Sequence, residues 1–294
     1  MDSRKLVAFQ GACDPRVIQP FRIKRLAIGV DLEEFQPRFG KAGRRCSQLS
    51  KLMETLLELL ARYSAKATFF TVGETAEQFP ELIRSLSTQG HEIASHGHHH
   101  TPISKLDPIS FTDDLRRSMD TLNGLSENPV IGFRAPLLSL TKDCAWAYDR
   151  LKAEGIKYSS SVFPAANVQY GWPGCPTVPH ERGGIYEYPI TLIRIAWRHF
   201  PAVGGAYFRI VPQEWMFKAL GKLRDEPLIT SYFHPYDFDC EQTFAIHREL
   251  ARKPWLAPLL FYNRPEFLKR LEVLLDHTES LLTFSQHYEE MSQS

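Results

Sequence analysis

Short apolar runs alternate with amphipathic stretches along most of the chain. The first run, Leu26 to Val30, stops abruptly at acidic residues, as a buried strand does where it reaches a sheet edge. Ser47 to Tyr63 then places leucines at helical spacing. KATFFTVG is a β-rich segment, Thr75 to Gln89 is again amphipathic, and HEIAS follows as the next strand. The first third of the chain therefore predicts strands separated by helices.

The same alternation continues toward the C-terminus, and no repeat, low-complexity tract or linker interrupts it. Strands separated by helices in this way predict a parallel sheet or barrel with helices outside. We therefore expect an N-terminal extension over residues 1–24 and one α/β domain over residues 25–294. Helices are predicted over 111–122, 142–154, 215–223 and 264–275, and strands in VIGFRAP, IKYSSSVFP, GIYEYPITLIRI, GGAYFRIVP, LITSYFHP and LLTFSQHYEEM, the last with a tail.

Composition narrows the possible partners and location. The formal net charge of +1 over 294 residues gives no reason to expect nucleic acid or an anionic membrane as a partner. No apolar run reaches the roughly 18 residues of a membrane span. The five cysteines are odd in number, far apart and form no CxxC pair, so we expect free thiols and a cytoplasmic protein.

Polar clusters follow four of the predicted strands directly. They are Asp31 to Glu34, Ser95-His96 and onward, Arg134 to Pro136, and His234 to Tyr236. In parallel α/β barrels and open sheets, the carboxyl ends of the strands meet at one edge, where sites are built. We therefore expect these four clusters to lie together.

EIASHGHHHTP places four histidines within five positions at the end of an apolar run. On a helical turn, His96 and His100 would share a face, and two neutral imidazoles can hold one cation. His98 and His99 would then point elsewhere. The alternative is a histidine-rich surface loop without a ligand.

A catalytic zinc site usually has three protein ligands and an open position, and the third ligand here is plausibly acidic. Strand alternation puts Asp31 and Glu33 on one face and Glu34 on the other. One carboxylate could then bind metal while its neighbour accepts a proton. The alternative is a solvated acidic loop.

Arg134 and His234 also follow apolar strands. A guanidinium at Arg134 could hold a carboxylate ionised and oriented, or could form an ordinary ion pair. His234 could serve as a general acid, or could be a core histidine bonded to a carbonyl.

In this order, the acidic cluster, ATFFTVG, GHEIASHGHHH, GFRAP and a late FHP resemble the NodB-homology polysaccharide deacetylases, also called carbohydrate esterase family four. The likeness extends from about Leu26 to about Phe284. It implies a distorted (β/α) barrel, often of seven parallel strands, and metal-dependent hydrolysis of an acetamido group on a sugar. The expected ion is Zn²⁺, which suits nitrogen and oxygen ligands, although other first-row ions also fit.

The resemblance also implies a role for each matching residue. Asp31 matches the catalytic base, Arg134 the arginine that orients the base, and His234 the general acid. His96 and His100 match the metal-binding histidines.

Two positions depart from the family pattern. The usual adjacent aspartates are replaced here, so we assign Glu33 as the third metal ligand, with Glu34 as the fallback. Ser159 stands where the family has an aspartate that supports the arginine, so either another acid supports Arg134 or that support is weakened.

The backbone N–H of Leu137 matches an oxyanion donor.

GGAYFRIVP could line the sugar site. Tyr207 offers an aromatic face and Arg209 offers hydrogen-bond donors, while Gly204–Gly205 permits close backbone approach. The alternative is a tight turn into a core strand. Trp172 and Trp197 are similarly ambiguous.

VDLEEFQ, GGAYFRIVP and YFHPYDFD look like a bacterial subgroup tied to exopolysaccharide and surface-glycan biosynthesis. The expected function is therefore deacetylation of an N-acetylated sugar or glycan precursor. Two alternatives are hydrolysis of another C–N bond, in a formamide, cyclic imide or ureide, and a catalytically weak glycan-binding protein.

Overall fold

The computed structural model describes residues 22–34, 48–167, 169–195, 198–241, 258 and 261–293. All but the last three residues of the predicted N-terminal extension lie outside the described residues, as does Trp197. Among the described helices, none is both long enough and apolar enough to cross a bilayer.

Thirteen strands and nine α-helices are defined in the described part of the chain. The strands are β1 (Ile23–Ala27), β2 (Gly29–Leu32), β3 (Thr68–Thr71), β4 (Glu92–Ser95), β5 (Gly132–Phe133), β6 (Tyr158–Ser159), β7 (His180–Arg182), β8 (Ile185–Glu187), β9 (Leu192–Ile195), β10 (Arg198–Pro201), β11 (Val203–Gly204), β12 (Ile229–Tyr232) and β13 (Thr278–Leu282). The helices are α1 (Leu49–Arg62), α2 (Gly73–Gln78), α3 (Pro80–Thr88), α4 (Pro108–Asn123), α5 (Ala147–Ala153), α6 (Gly205–Ile210), α7 (Gln213–Leu220), α8 (Phe267–Asp276) and α9 (Phe284–Ser292).

The architecture is a distorted parallel barrel, as predicted. Strands β2, β3, β4, β5, β6 and β8 are hydrogen-bonded side by side and run parallel. β1 continues directly into β2 and pairs with β12 on its other side, again in parallel. Counting β1 and β2 as one interrupted strand, seven parallel strands surround the core. β13 adds to the outer side of β1, and β9 with β10 forms a separate antiparallel ribbon.

Side chains rather than a backbone ladder join β12 to the segment that follows β8. The N–H of Thr191 donates to the Thr230 hydroxyl at 2.9 Å, and the N–H of Thr230 donates to the Thr191 hydroxyl at 2.9 Å. The two hydroxyl oxygens are 3.1 Å apart. These reciprocal bonds form the seam of the barrel.

Apolar side chains on both sides of the parallel strands form the core. All four residues of β2 and of β3 are buried, as expected for strands covered by helices on one face and by the barrel interior on the other. α1 contributes Leu56 and Leu60 to the largest apolar cluster, and α8 contributes Leu271 and Leu274. The helical leucine spacing in the sequence therefore corresponds to the buried faces of these helices.

Three sequence expectations about elements are wrong. GAYFRI is not a strand but forms α6, with only Gly204 of the predicted segment in a strand, β11. The tail after β13 folds into α9, whose N-cap Thr283 accepts a hydrogen bond from the Gln286 N–H. The predicted helix over 75–89 is two helices. Pro80 has no N–H and is favoured in the first turn of a helix, so a second helix begins there.

Candidate active site

The four polar clusters lie at the carboxyl edge of the parallel strands. The N–H of His96 donates to the Thr71 carbonyl at 3.0 Å, continuing the ladder beyond β4. The N–H of Arg134 donates to the Ser95 carbonyl at 2.9 Å. The N–H of Asp31 donates to the Phe233 carbonyl at 2.7 Å, next to His234. Strand pairing therefore brings together side chains that are up to 203 positions apart in sequence.

A loop, not the expected helical turn, brings His96 and His100 together. Gly97 has φ of +74° and His100 has φ of +53°, so the chain reverses direction between the two rings. Their ring centroids are 5.0 Å apart. His99 turns outward to Glu74, whereas His98 is buried.

Glu33, His96 and His100 form a candidate metal-ligand set. One ligand atom from each lies within 4.8 Å of the others, and Oε2 of Glu33 is 2.7 Å from Nε2 of His100. Among the described residues, the ligand set that meets this distance includes Glu33 and does not include Glu34. The structure therefore brings Glu33, and not the fallback Glu34, to the histidines.

The protonation of His96 suits metal binding. Its Nδ1 is 2.8 Å from the Arg134 carbonyl oxygen, which accepts the Nδ1 proton. Burial lowers the pKa of His96 to about 4, so the ring is neutral at pH 7. The Nε2 lone pair is then left for a cation, which is the usual way in which a backbone carbonyl orients a histidine ligand.

Asp31 is held by Arg134, as the sequence predicts. Nη1 of Arg134 donates to Oδ1 of Asp31 at 2.6 Å, and both side chains are buried. Burial alone would raise the pKa of Asp31, but the charge of Arg134, with His96 and His234, lowers it below its usual value. A side chain at Gly29 would meet the Arg134 guanidinium at 2.9 Å, so this approach requires glycine at that position.

Among the described residues, no second carboxylate pairs with Arg134. Instead, Nε and Nη2 donate to the carbonyl and hydroxyl of Ser160 at 3.1 and 3.0 Å, and Nη2 also donates to the Ser231 carbonyl. The guanidinium carbon lies 3.9 Å from the centre of the Phe70 ring. Ser159 bonds to Ser161 instead. Neutral oxygens thus replace the acid that the family pattern places behind this arginine.

His234 faces both acids across the site. Its Nε2 is 3.7 Å from Oδ2 of Asp31 and 3.7 Å from Oε1 of Glu33. Its Nδ1 is 3.1 Å from Oδ2 of Asp237, which also accepts the His234 backbone N–H. The ring is thereby fixed with Nε2 toward the acids.

Leu137 adopts an unusual backbone conformation beside these groups. Leu137 has φ of +59° and Leu138 has φ of +54°, a region that bulky side chains rarely adopt. The N–H of Leu138 donates to Ala135, whereas the N–H of Leu137 has no acceptor among the described residues. Both leucines line the cleft, so the free amide is at the position predicted for an oxyanion donor.

The cleft has a volume of about 170 Å³ and an aromatic wall. Tyr207 lies in this wall with 38% of its surface exposed.

Arg209 does not line the cleft, and its predicted role as a donor to the sugar is wrong: it is buried and donates to Asp237 and to the Tyr262 carbonyl. Trp172 is also buried, in a second apolar cluster. The cleft is lined by Asp31, His96, His100, Leu137, Leu138, Phe163, Asn167, Gln169, Tyr170, Tyr207, Tyr232 and His234.

Sequence reasoning missed Asp237 and Ser160. Asp237 has a local signal, because HPYD places an acid three residues after the histidine within one turn. Ser160 has none, since three adjacent serines give no indication of which one faces Arg134.

Comparison with sequence families gives two adjoining matches. Residues 43–156 match the family described as Polysaccharide deacetylase. Residues 160–286 match a family described as a domain of unknown function (DUF3473).

Curated relatives match parts of the chain. A peptidoglycan-N-acetylglucosamine deacetylase of Bacillus cereus is 31% identical over 141 residues, which cover 44% of this chain and 50% of the relative. A chitooligosaccharide deacetylase of Bradyrhizobium is 35% identical over 60 residues, covering 20% of this chain and 27% of the relative. The chain therefore spans half or less of the length of these relatives.

Among solved structures, a provisionally named polysaccharide deacetylase from Mycobacterium smegmatis has the same fold. The TM-score is 0.61 at 20% identity, with 92% of this chain and 91% of that chain covered. At this level of identity, the likeness shows a shared barrel fold. The match of residues 43–156 to the polysaccharide deacetylase family agrees with the resemblance to NodB-homology deacetylases drawn from the motifs of the chain.

Proposed function

We propose that the protein is a metal-dependent hydrolase that removes the acetyl group from an N-acetylated sugar or glycan. The observation that carries this proposal is that Glu33, His96 and His100 lie together, with Nε2 of His234 3.7 Å from both Asp31 and Glu33. The relatives named as deacetylases of peptidoglycan and chitooligosaccharide support the acetamido sugar as substrate class.

Glu33, His96 and His100 are the residues that would hold the cation. Two imidazoles and a carboxylate suit Zn²⁺, the ion we propose, and leave positions open for water and substrate. A bound divalent ion would polarise the acetyl carbonyl and make a coordinated water more acidic.

Two side chains at the cleft carry out the proton transfers, one as a base and the other as an acid. Asp31, kept ionised by Arg134, accepts a proton from the attacking water. The free N–H of Leu137 donates a hydrogen bond to the carbonyl oxygen as that oxygen gains charge. His234 donates the proton from Nε2 to the departing nitrogen. The products are acetate and a free amino sugar.

Acetate release from an N-acetylglucosamine oligosaccharide tests the proposal. Asp31→Asn and His234→Ala should each lower kcat by roughly 10²- to 10⁴-fold, the usual contribution of a proton-transfer residue. Chelation should abolish activity in the wild type, and Zn²⁺ should restore it. Near-normal deacetylation by either purified variant would contradict the assigned roles.

A substrate panel distinguishes the competing activities. Formamides, cyclic imides and ureides are assayed beside the acetylated oligosaccharide, with glycan binding measured in parallel. Faster turnover of one of the other amides would move the function to that C–N bond. Binding without acetate release would make the protein a glycan-binding relative.

We propose surface-glycan biosynthesis as the setting. The support comes from the motif forms VDLEEFQ, GGAYFRIVP and YFHPYDFD, which resemble the corresponding subgroup. Loss of free amino groups from the surface polysaccharide of a deletion strain would support this setting, and an unchanged polysaccharide would contradict it.

A further inference from the structure

A buried chain of three side chains leads away from the cleft behind His234. Asp237 accepts from Nδ1 of His234 through Oδ2 at 3.1 Å. Its other oxygen, Oδ1, accepts from Nη2 and Nε of Arg209 at 3.1 and 3.3 Å. Asp237 and Arg209 are each 1% exposed, so water does not replace these bonds.

Ring packing around His234 does not determine which of the two ring nitrogens faces the cleft, so this orientation depends on Asp237. Tyr236 stacks on the imidazole with ring centroids 4.6 Å apart, and Tyr232 meets it edge-on at 6.0 Å. These contacts hold the plane of the ring but cannot distinguish Nδ1 from Nε2. The Asp237 carboxylate can, because it accepts hydrogen bonds and donates none, so Nδ1 must carry a proton.

Arg209 in turn fixes the direction of the Asp237 carboxylate. A guanidinium has only donors, so Oδ1 must remain an acceptor on the Arg209 side. The Arg209 Nη1 donates to the Tyr262 carbonyl at 2.7 Å, which anchors the guanidinium within the fold. The arginine lies on α6, inside the segment that matches the domain of unknown function.

We propose that Asp237 and Arg209 are positioning residues for the acid step, and that Arg209 acts through Asp237. The pair keeps one proton on Nδ1 of His234, so that Nε2 is the nitrogen that takes up a second proton and gives it to the leaving nitrogen. This inference rests on the proposed function, and it assigns part of the 160–286 segment to the chemistry of the site.

The geometry predicts an unusual result for Asp237→Asn. Arg209 offers only donors, so the amide oxygen must face Arg209 and the amide NH₂ must face His234. That NH₂ would donate to Nδ1 and leave a neutral ring with its single proton on Nε2. The ring could then not form the imidazolium, protonated on both nitrogens, that donates from Nε2 in the acid step. We expect kcat on the N-acetylglucosamine oligosaccharide to fall about 10- to 100-fold with KM little changed.

Arg209→Met should then rescue Asp237→Asn. Without the guanidinium, the amide can rotate, place its oxygen on Nδ1 and restore the tautomer. The double variant R209M/D237N should therefore be more active than D237N alone, although it carries one more substitution. An effect of Arg209 that is independent of Asp237 would instead make the double variant worse.

An aryl acetate separates positioning from general damage. Its phenolate leaves without protonation, so variants that impair only the acid step should hydrolyse it at close to the wild-type rate. Arg270→Met is the matched control: Arg270 donates to the α6 carbonyl of Phe208 and to the Val211 carbonyl just beyond it, and should leave both activities unchanged.

Nitrogen-15 NMR of the His234 ring reports the tautomer without any turnover. The wild type and R209M/D237N should carry the proton on Nδ1, and D237N on Nε2. Equal losses on both substrates, no rescue, or an unchanged tautomer in D237N would overturn the positioning role. If the wild type does not deacetylate the oligosaccharide, the proposed function fails, and the NMR result still decides whether Asp237 and Arg209 set the tautomer.

Discussion

At the scale of single residues, Arg134 shows how a buried cation is stabilised with one acid partner. Neutral oxygens of Ser160 and Ser231 accept the N–H groups that Asp31 does not, and the Phe70 face covers the guanidinium plane. Buried polar groups are costly when unpaired, so each of these acceptors contributes to holding the base.

Ser160→Ala tests the neutral support of Arg134. Loss of the hydroxyl acceptor at Nη2 should lower the free energy of unfolding by about 1 kcal/mol and should lower kcat several-fold, because Asp31 is held less firmly. Urea denaturation and steady-state kinetics measure the two effects.

Ser159→Ala is the matched control, because Ser159 bonds to Ser161 and does not contact Arg134. It should cost similar stability while leaving kcat near the wild-type value. Equal kinetic losses in both variants would show that the serine run acts only on the fold.

At the scale of elements, Glu92 docks the C-terminal helix α9 against the barrel. Its carboxylate accepts from the Ser285 N–H at 3.0 Å and from the hydroxyls of Thr68 and Tyr158, each at 2.6 Å. Burial nevertheless raises the pKa of Glu92 above its usual value. The folded state therefore binds this proton more tightly than the unfolded state.

Glu92→Gln should change how stability depends on pH. For a carboxyl whose folded pKa is raised, the stabilising contribution is complete below the unfolded pKa and is lost as pH rises through the folded pKa. The variant lacks this loss, so its stability relative to wild type should increase over the pH range above about 4.3, the ordinary pKa of a glutamate. Thermal unfolding across that range measures the trend, and a constant difference would contradict the raised pKa.

Element types followed from the sequence where one face was strongly patterned. The leucines of α1 and the β-rich ATFFTVG run are examples, since burial of one face or of a whole short strand leaves a clear period. GGAYFRI contains residues that favour strands, but Gly205 adopts φ of +53° and Tyr232 packs against it. This tertiary contact favours a helix over the strand that local propensity predicts. Local propensity carries no information about that contact.

At the scale of the whole molecule, the site was predictable because parallel strands end at one edge. That rule placed Asp31, His96, Arg134 and His234 together without any knowledge of the loops. It could not show Arg209 turning inward, because its bonds to Asp237 and Tyr262 depend on packing between distant segments. The cytoplasmic location expected from the sequence stays a prediction.

The seam between Thr191 and Thr230 joins two segments of the barrel through side-chain hydroxyls rather than a backbone ladder. Replacing both threonines with valine keeps their shape but leaves two buried N–H groups without acceptors. The cost should be about 2–6 kcal/mol, and the amides at 191 and 230 should lose protection in hydrogen exchange.

The double Thr→Ser variant keeps both hydroxyls and serves as the control for the seam. It loses only two methyl groups and should retain amide protection at both positions. Protection that survives in the double valine variant would mean that backbone contacts elsewhere close the barrel.

The pair of leucines at 137 and 138 has a consequence for engineering. Their positive φ angles of +59° and +54° are conformations that glycine or asparagine would adopt at lower cost. Selection for heat resistance would therefore favour those residues here, while the added freedom would loosen the amide that meets the reacting carbonyl. We therefore expect substitutions in this loop to change thermostability and turnover in opposite directions.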